Sequence, residues 1–241
     1  AVDADAFHSA WQRISEHFDV LFTTDYSVDK LKETILQLAV MGKLVPQDPN
    51  DEPASVLVEK VITEREQLIK EGKLKKPKAL PKITDAEKPL GLAKNWEWVR
   101  LGDVYEFLNG YAFKSSWFVD TGTKLLRNVN IGHGAARWEE TARIADSKAT
   151  EFGRYNLNAG DIVISLDRPI INTGFKFAVI ELADLPCLLL QRVAKLTSIG
   201  GSVDKFYLAY WLKSSVFMDA INPGRSSGVP HISTTQLAMT L

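Results

Sequence analysis

Apolar side chains at Val28, Leu31, Ile35, Leu38 and Met41 recur at three- and four-residue spacing, which predicts one face of a helix. Ser27 stands where an N-cap is wanted, and Gly42 where a left-handed residue closes a helix. Leu36, Ala39 and Val40 widen the stripe, implying contact with more than one neighbour. Pro46, Pro49 and Pro53 then turn the chain. A second helix is predicted from about Ala54 to Gly72, with Val58, Val61, Ile62, Leu68 and Ile69 on its apolar side. Residues 73–94 are Lys-rich and broken by Pro77, Pro81 and Pro89, so they read as an extended, solvated connector lying over a surface.

From Trp96 onward the pattern shortens. Residues 96–102 alternate apolar and polar, and further strands are expected at 124–129, 161–166, 175–180 and 188–196. Turn signals separate them at Asn109-Gly110, Gly132 to Gly134, Asn158 to Gly160 and Gly200-Gly201. Phe206, Tyr207, Tyr210, Trp211 and Phe217 fit one helix over 204–220, and a polar loop follows at 222–231. Strands followed by helices, without regular βαβ alternation, indicate an α+β fold with a mixed or antiparallel β-rich domain. The organisation expected is an N-terminal helical arm with its linker, residues 1–94, and a β-rich domain, residues 95–241.

Composition narrows the function by exclusion. The 241 residues carry a net charge of −1, with 45% hydrophobic side chains and a single cysteine, Cys187. That is ordinary for a soluble protein, leaves no internal disulfide, and contains no run able to span a bilayer. The N-terminus lacks a basic and apolar leader, so a cytoplasmic location is expected. Residues 1–90 carry 13 basic and 16 acidic side chains and the remainder 16 and 14, so overall charge does not announce a nucleic-acid binder. No glycine-rich phosphate loop or nucleophile elbow is present. His8, His17, His133 and His231 lack metal-ligand spacing. Asp51, Glu71 and Lys73 imitate a metal-dependent nuclease signature, but a helix end and a linker cannot converge carboxylates as adjacent strands do. Neither a catalytic residue nor a metal site is expected.

Two segments carry a family resemblance. Residues 31–55, LKETILQLAVMGKLVPQDPNDEPAS, closely resemble the conserved-region segment of type I restriction–modification specificity subunits. Residues 92–104, LAKNWEWVRLGDV, followed by NGYAFKS at 109–115, resemble the opening of that family's target recognition domain. Weaker echoes follow at 126–131, 157–165 and 191–193, and the stretch from Pro223 to Leu237 resembles the close of such a domain. The resemblance implies a non-catalytic subunit that reads one half of a split duplex DNA site. It further implies recruitment of modification subunits, which are N6-adenine methyltransferases, and of ATP-driven restriction subunits. AdoMet, ATP and Mg would then belong to those partners, with no cofactor on this chain and no membrane. The family continues with a long helix and a second recognition domain, so an N-terminal half is expected. A scaffold for the methyltransferase subunit, without DNA specificity of its own, is the alternative.

Within that reading, polar loops offer the residue types that contact base edges and phosphates. The candidates are Arg127, Asn128, Asn130, His133 and Arg137; then Arg168, Asn172, Thr173 and Lys176; then Arg225, Ser226, Ser227, His231 and Ser233. Val28, Leu31, Ile35, Leu38 and Met41 are the candidate contacts for a partner helix.

Overall fold

The computed structural model describes residues 4–89, 91–171, 174–201, 203–222 and 231–241. Its helices, in chain order, are α1 (Ala4–Glu16), α2 (Phe18–Leu21), α3 (Asp25–Val40), α4 (Ala54–Lys70), α5 (Leu101–Val104), α6 (Asp146–Ala149), α7 (Lys205–Lys213), α8 (Ser215–Ile221) and α9 (Thr234–Met239). The strands are β1 (Tyr105–Asn109), β2 (Phe118–Val119), β3 (Thr123–Leu126), β4 (His133–Gly134), β5 (Ala142–Ile144), β6 (Ile162–Ser165), β7 (Ile170–Ile171), β8 (Gly174–Phe175), β9 (Phe177–Val179), β10 (Cys187–Leu189) and β11 (Val193–Ser198). Among the described residues these form a five-stranded sheet ordered β1-β11-β6-β9-β4, a four-stranded sheet ordered β10-β3-β5-β2, and the β7-β8 pair. Pairing is antiparallel except for β4 with β9 and β10 with β3. The fold is α+β.

Period-two alternation buries both faces of the central sheet. Ile162, Ile164, Phe177, Ala194 and Leu196 face the helices, together with Leu208, Trp211, Leu212 and Phe217. Val163, Ala178 and Val193 face the second sheet, where Leu126, Ile131 and Leu189 meet them. Beyond it, Phe113, Leu125, Ile144 and Leu188 pack with Tyr111, Trp117 and Phe152. Val40 and Val61 lie in the helix-side core, so residues 1–94 and 95–241 share one hydrophobic cluster.

The first helix starts earlier than the periodicity suggests. Thr24, not Ser27, is the N-cap; Ser27 occupies N3 and completes a capping box. Gly42 is left-handed at φ 68°, as expected. Helix α3 docks through Val40 and Leu36, leaving Ile35 exposed and Val28, Leu31, Leu38 and Met41 half-buried. Five other local expectations need correction, the first being the strand over 175–180, which divides at Lys176 between β8 and β9 in different sheets. Residues 96–100 are not a strand: Trp96 and Trp98 turn their rings onto Tyr207 and Trp211, and buried Arg100 ties the segment to the connector. The predicted strand over 188–196 is two strands, divided by a turn with Arg192 at φ 67°. The predicted helix over 204–220 breaks at Ser214, whose hydroxyl accepts from Phe217 N and starts α8. Residues 234–239, where no helix was expected, form α9.

Candidate nucleic-acid interface

The turn after β3 is built around Asn130. Its side chain is 1% exposed. Nδ2 donates to the carbonyls of Arg137 and Glu140 at 2.8 Å each, and Oδ1 accepts from Arg127 N at 3.1 Å. Asn130 therefore closes a loop and presents no edge to a ligand, correcting its assignment as a DNA contact. Arg127 occupies the N-cap position of the same short 3-10 turn. It donates to the Glu140 carbonyl at 2.9 Å and approaches the Glu140 carboxylate at 3.5 Å.

Beyond that turn, the three sequence-separated candidate segments meet at one carboxylate. Asp167 Oδ2 accepts from Arg192 Nη1 at 2.9 Å and from Asn128 Nδ2 at 3.4 Å, while its Oδ1 lies 2.8 Å from His231 Nδ1. The backbone reinforces this junction. Ile232 N donates to Leu166 O at 3.0 Å, Leu166 N donates to Arg192 O at 2.8 Å, and Asp167 pairs with His231 as a β-bridge. The Asp167 carboxylate is partly covered, at 17% side-chain exposure, beneath an Arg192 that is 62% exposed.

Lys176 is interior instead of presented. It is 7% exposed, and its Nζ donates to Asn128 O at 2.6 Å. Burial pulls its pKa down, with Asp167 opposing. Its assignment as a direct DNA contact is thereby corrected: the ammonium holds the 128 turn from behind. Ser233 is also redirected, since its hydroxyl accepts from Gln236 N and caps α9. Exposed His133 packs its ring against Gly174, where an added Cβ would stand 3.0 Å from Nδ1. Desolvation, then the charges of Arg137 and Lys176, hold its pKa below the usual imidazole value. Arg137 and Arg168 are exposed, Arg168 on left-handed backbone at φ 44°. Asn172, Thr173, Arg225, Ser226 and Ser227 lie outside the described residues.

Three residues at or near this junction were not named from the sequence as DNA contacts, although 191–193 carried a family echo. Asp167 is acidic and carries no signal as a DNA contact, yet it joins the segments. Arg192 stood inside an expected strand, and only its left-handed turn turns it outward to the junction. Lys213, in the last turn of α7, comes within 3.4 Å of where a Gly134 Cβ would lie and sits 5.8 Å from the Phe177 ring centre. The candidate face thus has two groups: Asn128, Arg192 and His231 on the Asp167 carboxylate with Arg168 next in the chain, and Arg137, Lys213 and His133 at the 132–134 turn. Such a face suits a polyanion that also offers hydrogen-bonding edges. Elsewhere, Glu71 and Lys73 form a 2.7 Å ion pair with each other at the end of α4.

Comparison with known proteins places these features in context. Residues 93–240 match the family model described as the type I restriction modification DNA specificity domain. The chain is 62% identical over 231 residues to the specificity subunit of the type I restriction enzyme EcoAI of Escherichia coli, covering 96% of this chain and 39% of that protein. It is 35% identical over 228 residues to the EcoEI specificity subunit of the same species, covering 93% of this chain and 38% of that one. The solved structure of a HsdS subunit from Thermoanaerobacter tengcongensis aligns with a TM-score of 0.42 and 18% identity, over 76% of this chain and 42% of that chain. The chain thus spans about two-fifths of the length of the curated relatives it matches.

Proposed function

Because the chain belongs to the type I restriction–modification DNA specificity domain family, we propose that it reads one half of a bipartite duplex DNA site within a specificity subunit. In that role it is non-catalytic. It supplies geometry and base readout, and directs modification and restriction subunits that carry AdoMet, ATP and Mg. The observation that carries this reading is the convergence of Asn128, Arg192 and His231 on Asp167, with Arg168 next in the chain, which gathers cationic and amide side chains from separate loops. Phosphate contacts would fix register there, and base-edge contacts would discriminate.

A second reading, a scaffold for the methyltransferase subunit without DNA specificity of its own, is favoured by the N-terminal helices. Trp11, Phe18, Val20, Leu21 and Tyr26 are all exposed there, an apolar display suited to a protein partner. The two roles are compatible in one chain, with the β-rich part facing DNA and the arm facing the modification subunit. No helix among the described residues is long and apolar enough to cross a membrane, and a cytoplasmic site of action accords with a DNA partner.

Selection from randomised duplexes at low salt, beside co-purification with a modification subunit, tests both readings. An enriched motif of a few base pairs is expected together with the partner. A recovered partner without enrichment would leave only the scaffold role. Recovery of neither would overturn the proposal.

A further inference from the structure

Two arginines with left-handed backbone flank one carboxylate. Arg168, at φ 44°, follows Asp167 in the chain, and Arg192, at φ 67°, donates to it. A side chain on left-handed backbone carries a conformational cost that the surrounding structure must impose, and such residues concentrate at functional sites. The surroundings do impose it at Arg192. Its carbonyl accepts from Leu166 N at 2.8 Å, Val193 N closes the turn onto Leu190 O at 3.3 Å, and Gln191 N donates to Tyr111 O at 2.8 Å. The backbone is tethered on both sides while the side chain stays 62% exposed.

The position of Asp167 discriminates between two uses of this arginine. A carboxylate amid a cationic face weakens attraction for phosphate, so an arginine serving only to neutralise phosphate gains nothing from it. An arginine that reads a base gains orientation, because discrimination depends on where its paired donors point. The contact to Asp167 engages Nη1. It leaves the Nε–Nη2 edge, two parallel donors matching the O6 and N7 acceptors of guanine.

We propose that Arg192 is a specificity-determining residue that reads a guanine edge through Nε and Nη2, and that Asp167 is the positioning residue that aims it. This rests on the DNA-recognition reading above. Asn128 and His231, on the same carboxylate, tie that aim to the two neighbouring loops.

The test is selection from randomised duplexes with the full chain and with Arg192→Lys, Asp167→Asn and Asp167→Glu. Binding to the selected duplex is followed against salt, and melting temperature is recorded for each variant. Arg192→Lys keeps the charge and removes the planar fork. It is expected to keep the melting temperature and the salt slope, while preference for guanine at one base pair falls by roughly 5- to 100-fold. Asp167→Asn should lose preference at that same base pair, with affinity for random duplex unchanged or higher. Asp167→Glu should restore part of the preference. The wild-type motif from both Arg192→Lys and Asp167→Asn overturns the inference and leaves the recognition reading standing. Equal weakening of all duplexes also overturns it, since that marks a phosphate contact or a structural role. No motif from the wild-type chain removes the recognition reading and this inference with it.

Discussion

The guanidinium of Arg100 donates to the carbonyl of Met239, 139 residues further along the chain, at 2.6 Å. The same group donates to Pro81 O at 2.7 Å and to Glu87 Oε1 at 2.8 Å, and the residue is only 3% exposed. One side chain thus joins the connector, the entry to β1 and the end of α9. A planar group with several fixed donors suits this task, and an ammonium does not. Arg100→Ala leaves the Pro81, Lys82 and Met239 carbonyls without this donor and is expected to cost about 2–4 kcal/mol, with Arg100→Lys recovering only part. Denaturant unfolding of the two variants against wild type measures both values.

Glu87 gives this clamp an acid limit. Backbone N–H donation from Thr84, then the Arg100 guanidinium, then the Thr84 hydroxyl hold the Glu87 carboxyl down to about 2. The ordinary glutamate value is about 4.3, so the unfolded chain takes up this proton more readily than the folded one. The stabilisation is therefore complete above about pH 4.5 and is lost as the pH falls toward 2. Glu87→Gln should make the fall in stability across that window shallower than in wild type. Urea midpoints at several pH values between 5 and 2.5 provide the comparison, and parallel curves would show that Glu87 is not linked to folding.

Two helix-ending glycines make a controlled pair. Gly42 and Gly72 have nearly the same left-handed backbone, at φ 68° and 71°. A Cβ on Gly72 would meet nothing within 4 Å, whereas one on Gly42 would run into the Trp96 ring, 2.6 Å from its Nε1. Trp96 cannot easily withdraw, since Nε1 donates to Gln47 Oε1 at 2.7 Å. Gly72→Ala is expected to cost about 1 kcal/mol, the backbone penalty alone. Gly42→Ala should cost about 2–4 kcal/mol, because steric overlap adds to the same backbone penalty. Thermal unfolding resolves the difference, and equal shifts would exclude the Trp96 contact as its cause.

The local texture of the fold was legible because it repeats at short range. The stripe from Val28 to Met41 located α3, and Gly42 marked its end. The strand expected over 161–166 is β6, and the structure shows all four of its residues buried. Breaks set by single hydrogen bonds were not legible. Ser214 splits a continuous aromatic pattern into α7 and α8 by capping, and the left-handed turn at Arg192 interrupts an apolar run that reads as one strand. The interface was legible only as a list of loops. Asp167 reaches Asn128 across 39 positions and Arg192 across 25, distances at which no periodicity operates. Nothing in the sequence marked Asn130 or Lys176 as interior, because their residue types suit a loop surface equally well.

Asn130 and Asn128 separate holding a loop from facing a ligand. They sit two positions apart in one turn, and substitution should affect them differently. Asn130 places three hydrogen bonds inside the loop at 1% exposure. Asn130→Ala removes them together, leaving the Arg137 carbonyl and the Arg127 N–H to find water in a closed turn, while the Glu140 carbonyl keeps only its Arg127 donor. The expected cost is about 2–4 kcal/mol. Binding of every duplex should then weaken alike, because the whole 127–137 segment loses its shape. Asn128 is half-buried, and its side chain makes one long contact, 3.4 Å to Asp167. Its carbonyl, which accepts from Lys176, survives truncation of the side chain. Asn128→Ala should therefore leave stability within about 1 kcal/mol of wild type. Its effect on DNA should be confined to one position of the selected motif, as expected for an amide facing a base edge. Melting curves and duplex selection on both variants decide the matter, and a stability loss at Asn128 matching that at Asn130 would refute the division of labour.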